Sequence, residues 1–143
     1  MNQIGFYRDE NDDLNVQGIK ISSLAEKYGT PSFIYDASLM KERYNVFLET
    51  IKEVKGNIHY AVKANDALSI ISYFAKLGCG ADIVSIGEFE KCVAAGISPQ
   101  KIIFSGVGKD KDEIEIALKN NVLQFNIESE EELNDISEIS SRL

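Results

Sequence analysis

Apolar and polar positions change their period along the chain, and each change marks an element. Up to residue 21 the apolar residues come in short runs. Phe6-Tyr7-Arg8 and Leu14-Asn15-Val16 flank the acidic Asp9-Glu10-Asn11-Asp12-Asp13, a pattern that predicts short strands around a hairpin tip. Ser23-Leu24-Ala25-Glu26 has the serine and glutamate of a capping box, which predicts a short helix ending at Tyr28-Gly29, with Pro31 blocking its continuation. Ser32-Phe33-Ile34-Tyr35 reads as a strand. Asp36 or Ser38 caps the next helix, which puts Met40, Tyr44, Phe47, Leu48 and Ile51 on one face and ends at Gly56-Asn57.

From Ile58 onward a strand-then-helix unit repeats. Strands are expected at 58–63, 81–84, 101–104 and 122–127, each followed by an amphipathic helix. The first helix carries Leu68, Ile71, Phe74 and Ala75, and the third begins near Asp110 and carries Ile114, Ala117 and Leu118. Ser85-Ile86-Gly87-Glu88 opens the second helix as a capping box, and Ser129-Glu130-Glu131-Glu132 opens the fourth, which carries Leu133, Ile136 and Ser140. A spacing of about 20 residues between strand ends favours parallel strands with right-handed crossovers. An open doubly wound sheet and the first half of an eight-stranded barrel both fit this periodicity. Gly78, Gly80 and Gly87 do not form G-x-G-x-x-G between strand and helix, so a dinucleotide fold gains no support. No linker or low-complexity stretch interrupts the chain after about residue 25.

Composition narrows the function classes. A net charge of −8 argues against nucleic-acid or anionic-membrane partners, which select basic surfaces. No apolar run approaches the roughly 20 residues that span a bilayer, and Met1-Asn2-Gln3-Ile4-Gly5 has neither a basic region nor an apolar signal core. The cytoplasm is the expected compartment. Cys79 and Cys92 lack metal-ligand spacing and are expected to be reduced and at least partly buried. The helical pattern still runs at Ile139-Ser140-Ser141-Arg142-Leu143, which suggests the front of a longer enzyme.

The residue with the sharpest chemical promise is Lys63, at the end of the first repeating strand, His59-Tyr60-Ala61-Val62-Lys63-Ala64-Asn65. Parallel-barrel enzymes keep their chemistry at the carboxyl ends of strands, and a neutral lysine amine is a nucleophile. An ordinary lysine at a strand edge fits the spacing as well, and spacing alone favours it.

Two blocks change that weighting. Tyr60-Ala61-Val62-Lys63-Ala64-Asn65 resembles the cofactor-lysine motif of the fold-type III pyridoxal-phosphate (PLP) decarboxylases. Gly80-Ala81-Asp82-Ile83-Val84-Ser85, Gly87-Glu88, Ala94-Ala95-Gly96-Ile97, Pro99, Lys101-Ile102 and Phe104-Ser105-Gly106-Val107-Gly108-Lys109 follow in the same order and separation. Within the family this second block is most similar to the enzymes that decarboxylate meso-diaminopimelate to L-lysine. The likeness runs from about Ser23 to the end of the chain.

The resemblance implies an α/β fold: residues 1–24 as amino-terminal strands of a β domain, and residues 25–143 as the first half of an alanine-racemase-like, PLP-binding (β/α)8 barrel. It implies that Lys63 is the catalytic residue that bonds to pyridoxal 5'-phosphate, with Asp82 beside it and the small Ala61 close to the cofactor ring. Glu88 is either a cofactor contact or simply the N3 partner of Ser85. Ile86 departs from the glycine or polar residue of many relatives, which puts tight backbone contact there in doubt. Ser105 to Gly108 is expected to line the active-site mouth, with Lys109 on the surface.

His59, the only histidine, offers neither a metal set nor a nucleophile triad and reads as structural. The acidic run from Glu128 to Glu138 reads mostly as a solvated helix face. The family also implies a small amino-acid substrate, a homodimer whose second subunit supplies a cysteine, and phosphate and ring-nitrogen sites in later strands, so residues 1–143 alone should not turn over substrate. The alternatives are an ornithine- or arginine-type decarboxylase and a non-catalytic PLP-binding barrel.

Overall fold

The computed structural model describes residues 4–143. Met1–Gln3 lie outside the described residues, as does the part of the amino-terminal reading that falls on them. The described residues form two compact units, one up to Lys55 and one from Gly56 to Leu143.

The first unit begins with the expected hairpin. Strand β1 (Phe6–Arg8) pairs antiparallel with β2 (Leu14–Val16), with Tyr7 opposite Asn15. Asp9 makes the tip, its Oδ1 accepting the N–H groups of Asn11 at 2.9 Å and Asp13 at 3.1 Å. A third strand, β3 (Ile19–Lys20), returns through the two-residue loop Gln17-Gly18, both at positive φ (51° and 78°). That conformation matches the twist of paired strands, and glycine at its second position adopts it without strain.

Helix α1 (Ile21–Tyr28) starts two residues before the expected cap. Lys20 is its N-cap, and the capping box at Ser23 and Glu26 does not form, because both residues already lie inside the helix. Ser32–Tyr35 was expected as a strand and is not one. It pairs with no strand among the described residues, and Phe33 is 91% exposed. Unpaired extended backbone lacks the ladder that defines a strand.

Asp36 caps α2 (Ala37–Thr50), accepting from Ser38 N at 2.8 Å and Leu39 N at 3.3 Å. The helix ends at Ile51, before Gly56-Asn57, and buries no residue. Its expected apolar face is therefore half-open, with Phe47 57% and Leu48 41% exposed.

Asp36 also accepts from Gly5 N at 2.7 Å and from Gln17 Nε2 at 3.0 Å, so one buried carboxylate joins the hairpin to α2. Burial opposes its ionisation, but the bonds from Gln17, Gly5, Ser38 and Leu39 outweigh that and hold its carboxyl below the ordinary value of 3.8. A lowered folded-state value stabilises the fold above the unfolded value, and the gain is lost as pH falls through the folded one. Asp36→Asn keeps one acceptor for the cap, but its Nδ2 cannot accept from Gly5 N or Gln17 Nε2, so it should cost roughly 1–2 kcal/mol at neutral pH. It should also remove the part of the acid sensitivity that wild type shows below pH 3.8. Thermal unfolding of both proteins across pH 2 to 7 measures this; identical pH profiles would contradict it.

The second unit is a four-stranded parallel sheet with helices. Strands β4 (His59–Ala61), β5 (Gly80–Ile83), β6 (Ile102–Phe104) and β7 (Gln124–Phe125) lie in sequence order, every neighbouring pair parallel. The fourth strand is shorter than the expected 122–127, yet its ladder continues through Leu123 N to Ile102 O and Asn126 N to Phe104 O, both at 2.9 Å.

Helices α3 (Leu68–Lys76), α4 (Ile86–Ala94), α5 (Lys111–Lys119) and α6 (Glu130–Arg142) alternate with the strands. Asp110 caps α5 in a complete capping box with Glu113. Val62, Ala81, Ile83, Ile102 and Phe104 meet Ile71, Phe89, Cys92 and Ala117 in one core cluster. Each fully buried large side chain contributes about 1.5–3 kcal/mol.

Three helices thus pack on one face of the sheet, and the strand order never reverses. A doubly wound sheet reverses its order and carries helices on both faces. The arrangement is that of consecutive βα units of a barrel. Both cysteines are free and buried, as expected, and burial raises Cys79 to about 11 and Cys92 to about 12.

Candidate active site

Side chains alternate across a strand, so the face away from the core carries His59, Ala61, Gly80, Asp82, Ile103 and Gln124. Ser105 and Asn126 continue that set at the carboxyl end, where Ser105 N bonds Ile83 O at 2.8 Å. Apart from Ile103, the residues on this face are small or polar, whereas the other face is apolar.

Lys63 sits in a single 3-10 turn, Val62–Ala64, directly after β4. It was expected as the last residue of the strand. The strand stops at Ala61 because Val62 turns into the core, where it is wholly buried. The turn is held from two sides: Asn65 N donates to Val62 O, and the Tyr60 hydroxyl donates to Asn65 O, both at 3.0 Å. Lys63 itself is exposed and makes no hydrogen bond or ion pair among the described residues. Its amine is presented on a fixed turn and is not consumed by the fold.

Asp82 lies in β5, in register with Ala61 on one side and Ile103 on the other. No ion pair joins it to Lys63. Its Oδ1 accepts a hydrogen bond from Ser105 Oγ, and Ser105 Oγ accepts from Asn126 Nδ2 at 2.9 Å. Ser105 is two residues beyond Asp82's register partner on the same face, whereas Lys63 has left the strand. Three successive strands therefore contribute to one polar chain, Asn126 to Ser105 to Asp82. Sequence reading placed Ser105 only in a mouth-lining loop and missed Asn126. Extending the two-residue alternation one step past β6 and β7 would have found both.

Glu88 has a structural role. Its N–H donates to Ser85 Oγ at 3.3 Å, the expected half of a capping box, but its carboxylate reaches one residue further back and accepts from Val84 N at 2.8 Å. The Ile86 N–H is met from a neighbouring helix, donating to Glu113 Oε1 at 3.1 Å, while Glu113 Oε2 accepts from Asp110 N at 3.3 Å. One glutamate thus closes its own helix and fixes the start of the preceding one.

Lys109 is not on the surface. Its side chain is 1% exposed, and Nζ donates to Gly106 O at 2.7 Å, Asn126 O at 2.9 Å and Glu132 Oε1 at 2.7 Å. Glu132, read as part of a solvated acidic face, is buried as Lys109's counter-charge. A lysine in a polar loop defaults to solvent, and only folding brings its three acceptors together.

His59 is at the opposite end of the strands. Its Nδ1 is buried with no hydrogen-bond partner among the described residues, and it packs against Gly80 beside a cavity of about 270 Å³. It takes no part in the Lys63 end. Among the described residues no group of three or more histidine, cysteine, aspartate or glutamate side chains could hold a metal ion, and no helix is long and apolar enough to cross a membrane.

A free primary amine on a rigid turn, a small residue at 61 and a fixed carboxylate in the adjacent strand suit a planar aldehyde-bearing cofactor. Lys63 could hold it covalently, and Ala61 and Asp82 could flank it.

Comparison with known proteins agrees. The family model for the pyridoxal binding domain of pyridoxal-dependent decarboxylases matches residues 37–142. The chain is 39% identical over 137 residues to the diaminopimelate decarboxylase of Pseudomonas aeruginosa, covering 96% of this chain and 32% of that protein. It is 49% identical over 120 residues to the diaminopimelate decarboxylase of Helicobacter pylori, covering 84% of this chain and 30% of that one. The crystal structure of diaminopimelate decarboxylase from M. jannaschii in co-complex with L-lysine matches with a TM-score of 0.91 at 35% identity, covering 99% of this chain and 33% of that one. The chain spans about a third of the length of the relatives it matches. A single-faced parallel sheet with a free lysine at the end of its first strand, and a family match over most of its length, identify the chain as a member of the pyridoxal-dependent decarboxylases, with the family's pyridoxal-binding domain at residues 37–142.

Proposed function

We propose that this sequence supplies the cofactor-lysine part of a PLP-dependent decarboxylase that converts meso-diaminopimelate to L-lysine. The observation that carries the reading is the exposed Lys63 amine on its turn after β4, in the register neighbourhood of Ala61 and Asp82. When bound, PLP supplies an electron sink for the pair left at the substrate α-carbon as carbon dioxide departs. Lys63 anchors the group through Nζ. Ala61, small and on the same face as Asp82, would leave room for a flat ring. Asp82, held by Ser105, would set its carboxyl group beside Ala61 in the adjacent strand. Glu88 holds the turn between β5 and α4 through Val84 and is assigned no cofactor contact beyond that.

The choice of substrate is supported by the named activity of the relatives at 39% and 49% identity and by the L-lysine bound in the M. jannaschii structure. The domain reading assigns residues 1–24 to a β domain and 25–143 to the barrel, in a homodimer acting in the cytoplasm. The protein expressed through its whole reading frame should release carbon dioxide from meso-diaminopimelate and not from ornithine or arginine. The reverse preference would overturn the substrate assignment. Cofactor binding without release from any of the three would favour the non-catalytic barrel.

Asp82→Asn removes one charge at nearly constant volume. It should leave the fold intact and lower kcat on the order of tenfold or more. Steady-state kinetics with a circular-dichroism control check this, and an unchanged kcat would make Asp82 purely structural.

A further inference from the structure

The burial of Lys109 is costly. Taking an ammonium and a carboxylate out of water costs several kcal/mol per ion, and a well-packed apolar pair often serves stability equally well. The Lys109–Glu132 pair is almost wholly buried, at 1% and 7% side-chain exposure. The distinctive feature is which groups the ammonium holds. Its three N–H bonds go to three different segments: the loop after β6 at Gly106 O, the end of β7 at Asn126 O, and α6 at Glu132 Oε1.

Asn126 and Ser105, the residue before Gly106, are the two members of the polar chain that ends on Asp82. One cation therefore grips the backbone at both links. The loop is also pressed from the other side, since a Cβ at Gly106 would sit 3.2 Å from Val84 Cβ. The Phe104 ring lies under the ammonium, 5.6 Å from its centroid, so the lysine has little room to swing away.

We propose that Lys109 is a positioning residue: by fixing the Gly106 and Asn126 carbonyls it aims the Ser105 hydroxyl at Asp82 and so sets the orientation of that carboxylate at the strand ends. Glu132 holds Lys109 in turn. The effect on turnover rests on the decarboxylase reading above; the effect on geometry does not.

Lys109→Met alone leaves Glu132 buried without a partner, and misfolding is a risk there. The test is therefore the double replacement Lys109→Met with Glu132→Leu, which removes both charges, alone and combined with Ser105→Ala in the protein expressed through its whole reading frame. In a crystal structure of the cofactor-free double variant, the Asn126–Ser105 and Ser105–Asp82 bonds should be open. In the loaded enzyme, kcat per cofactor-labelled site should fall on the order of 10- to 100-fold with KM within about twofold. Adding Ser105→Ala should lower kcat little further, because both changes break one chain. Retention of both hydrogen bonds in the cofactor-free variant overturns the proposal whatever the protein's activity. So does an unchanged kcat per labelled site, or effects that multiply. If wild type takes up no cofactor, the decarboxylase reading fails, and the cofactor-free structure still decides the role of Lys109.

Discussion

In the protein expressed through its whole reading frame, Lys63→Ala should abolish cofactor attachment and lower decarboxylation by about three orders of magnitude or more, a loss of roughly 4 kcal/mol of transition-state stabilisation. The fold should not notice. Lys63 is exposed and makes no hydrogen bond or ion pair among the described residues, and its turn is held by Tyr60, Val62 and Asn65. Surface substitutions of that kind stay within about 0.5 kcal/mol. Lys63→Arg should fail equally, because a guanidinium stays protonated and cannot make the covalent bond. Visible absorbance of the bound cofactor, turnover and urea unfolding, measured on the same preparations, separate the two effects. A Lys63→Ala protein that keeps its cofactor band, or that loses stability along with activity, would contradict this account.

Gly80→Ala should do the reverse and damage the fold at a distance from the chemistry. A Cβ at Gly80 would lie 2.4 Å from His59 Nδ1, 2.6 Å from His59 Cε1 and 2.4 Å from the Lys101 carbonyl oxygen. The imidazole can swing aside, but the carbonyl belongs to the backbone entering β6 and cannot. Overpacking ordinarily costs 1–3 kcal/mol, and with two sub-contact approaches the loss should reach roughly 3 kcal/mol. That is a large share of a typical stability of about 5–15 kcal/mol.

His59→Ala added to Gly80→Ala should recover only part of the loss, since the Lys101 clash remains. Gly87→Ala is the control. A Cβ there meets nothing closer than Ser85 Oγ at 3.8 Å, and within α4 alanine should be neutral or stabilising by up to about 1 kcal/mol. Urea midpoints at constant m-value give all three differences from wild type. A Gly80→Ala protein as stable as wild type would show that the strands at this end separate more easily than the register implies.

Strand ends were legible in the sequence because alternation and glycine punctuation are local signals. They put Lys63 at the end of one strand and Asp82 within the next, and the structure has Lys63 two residues past β4 and Asp82 inside β5. The choice between open sheet and barrel was not local. It needed the strand order and the single helix-bearing face, which involve residues as distant as Ile71 and Ala117.

The misses have the same origin. Ser23 and Glu26 have the letters of a capping box, but the helix had already started at Ile21. Ser32 to Tyr35 has strand composition without a partner to pair with. Lys109 and Glu132 look like solvated charges until two backbone carbonyls and a phenyl ring surround the ammonium.

The central claim is that Lys63 is the residue that carries the cofactor. Incubating the protein, expressed through its whole reading frame, with pyridoxal 5'-phosphate, reducing with borohydride and mapping the digested peptides tests it most directly. The account predicts one phosphopyridoxyl label, on the peptide containing Tyr60-Ala61-Val62-Lys63. A label on any other lysine, or no label, would contradict it.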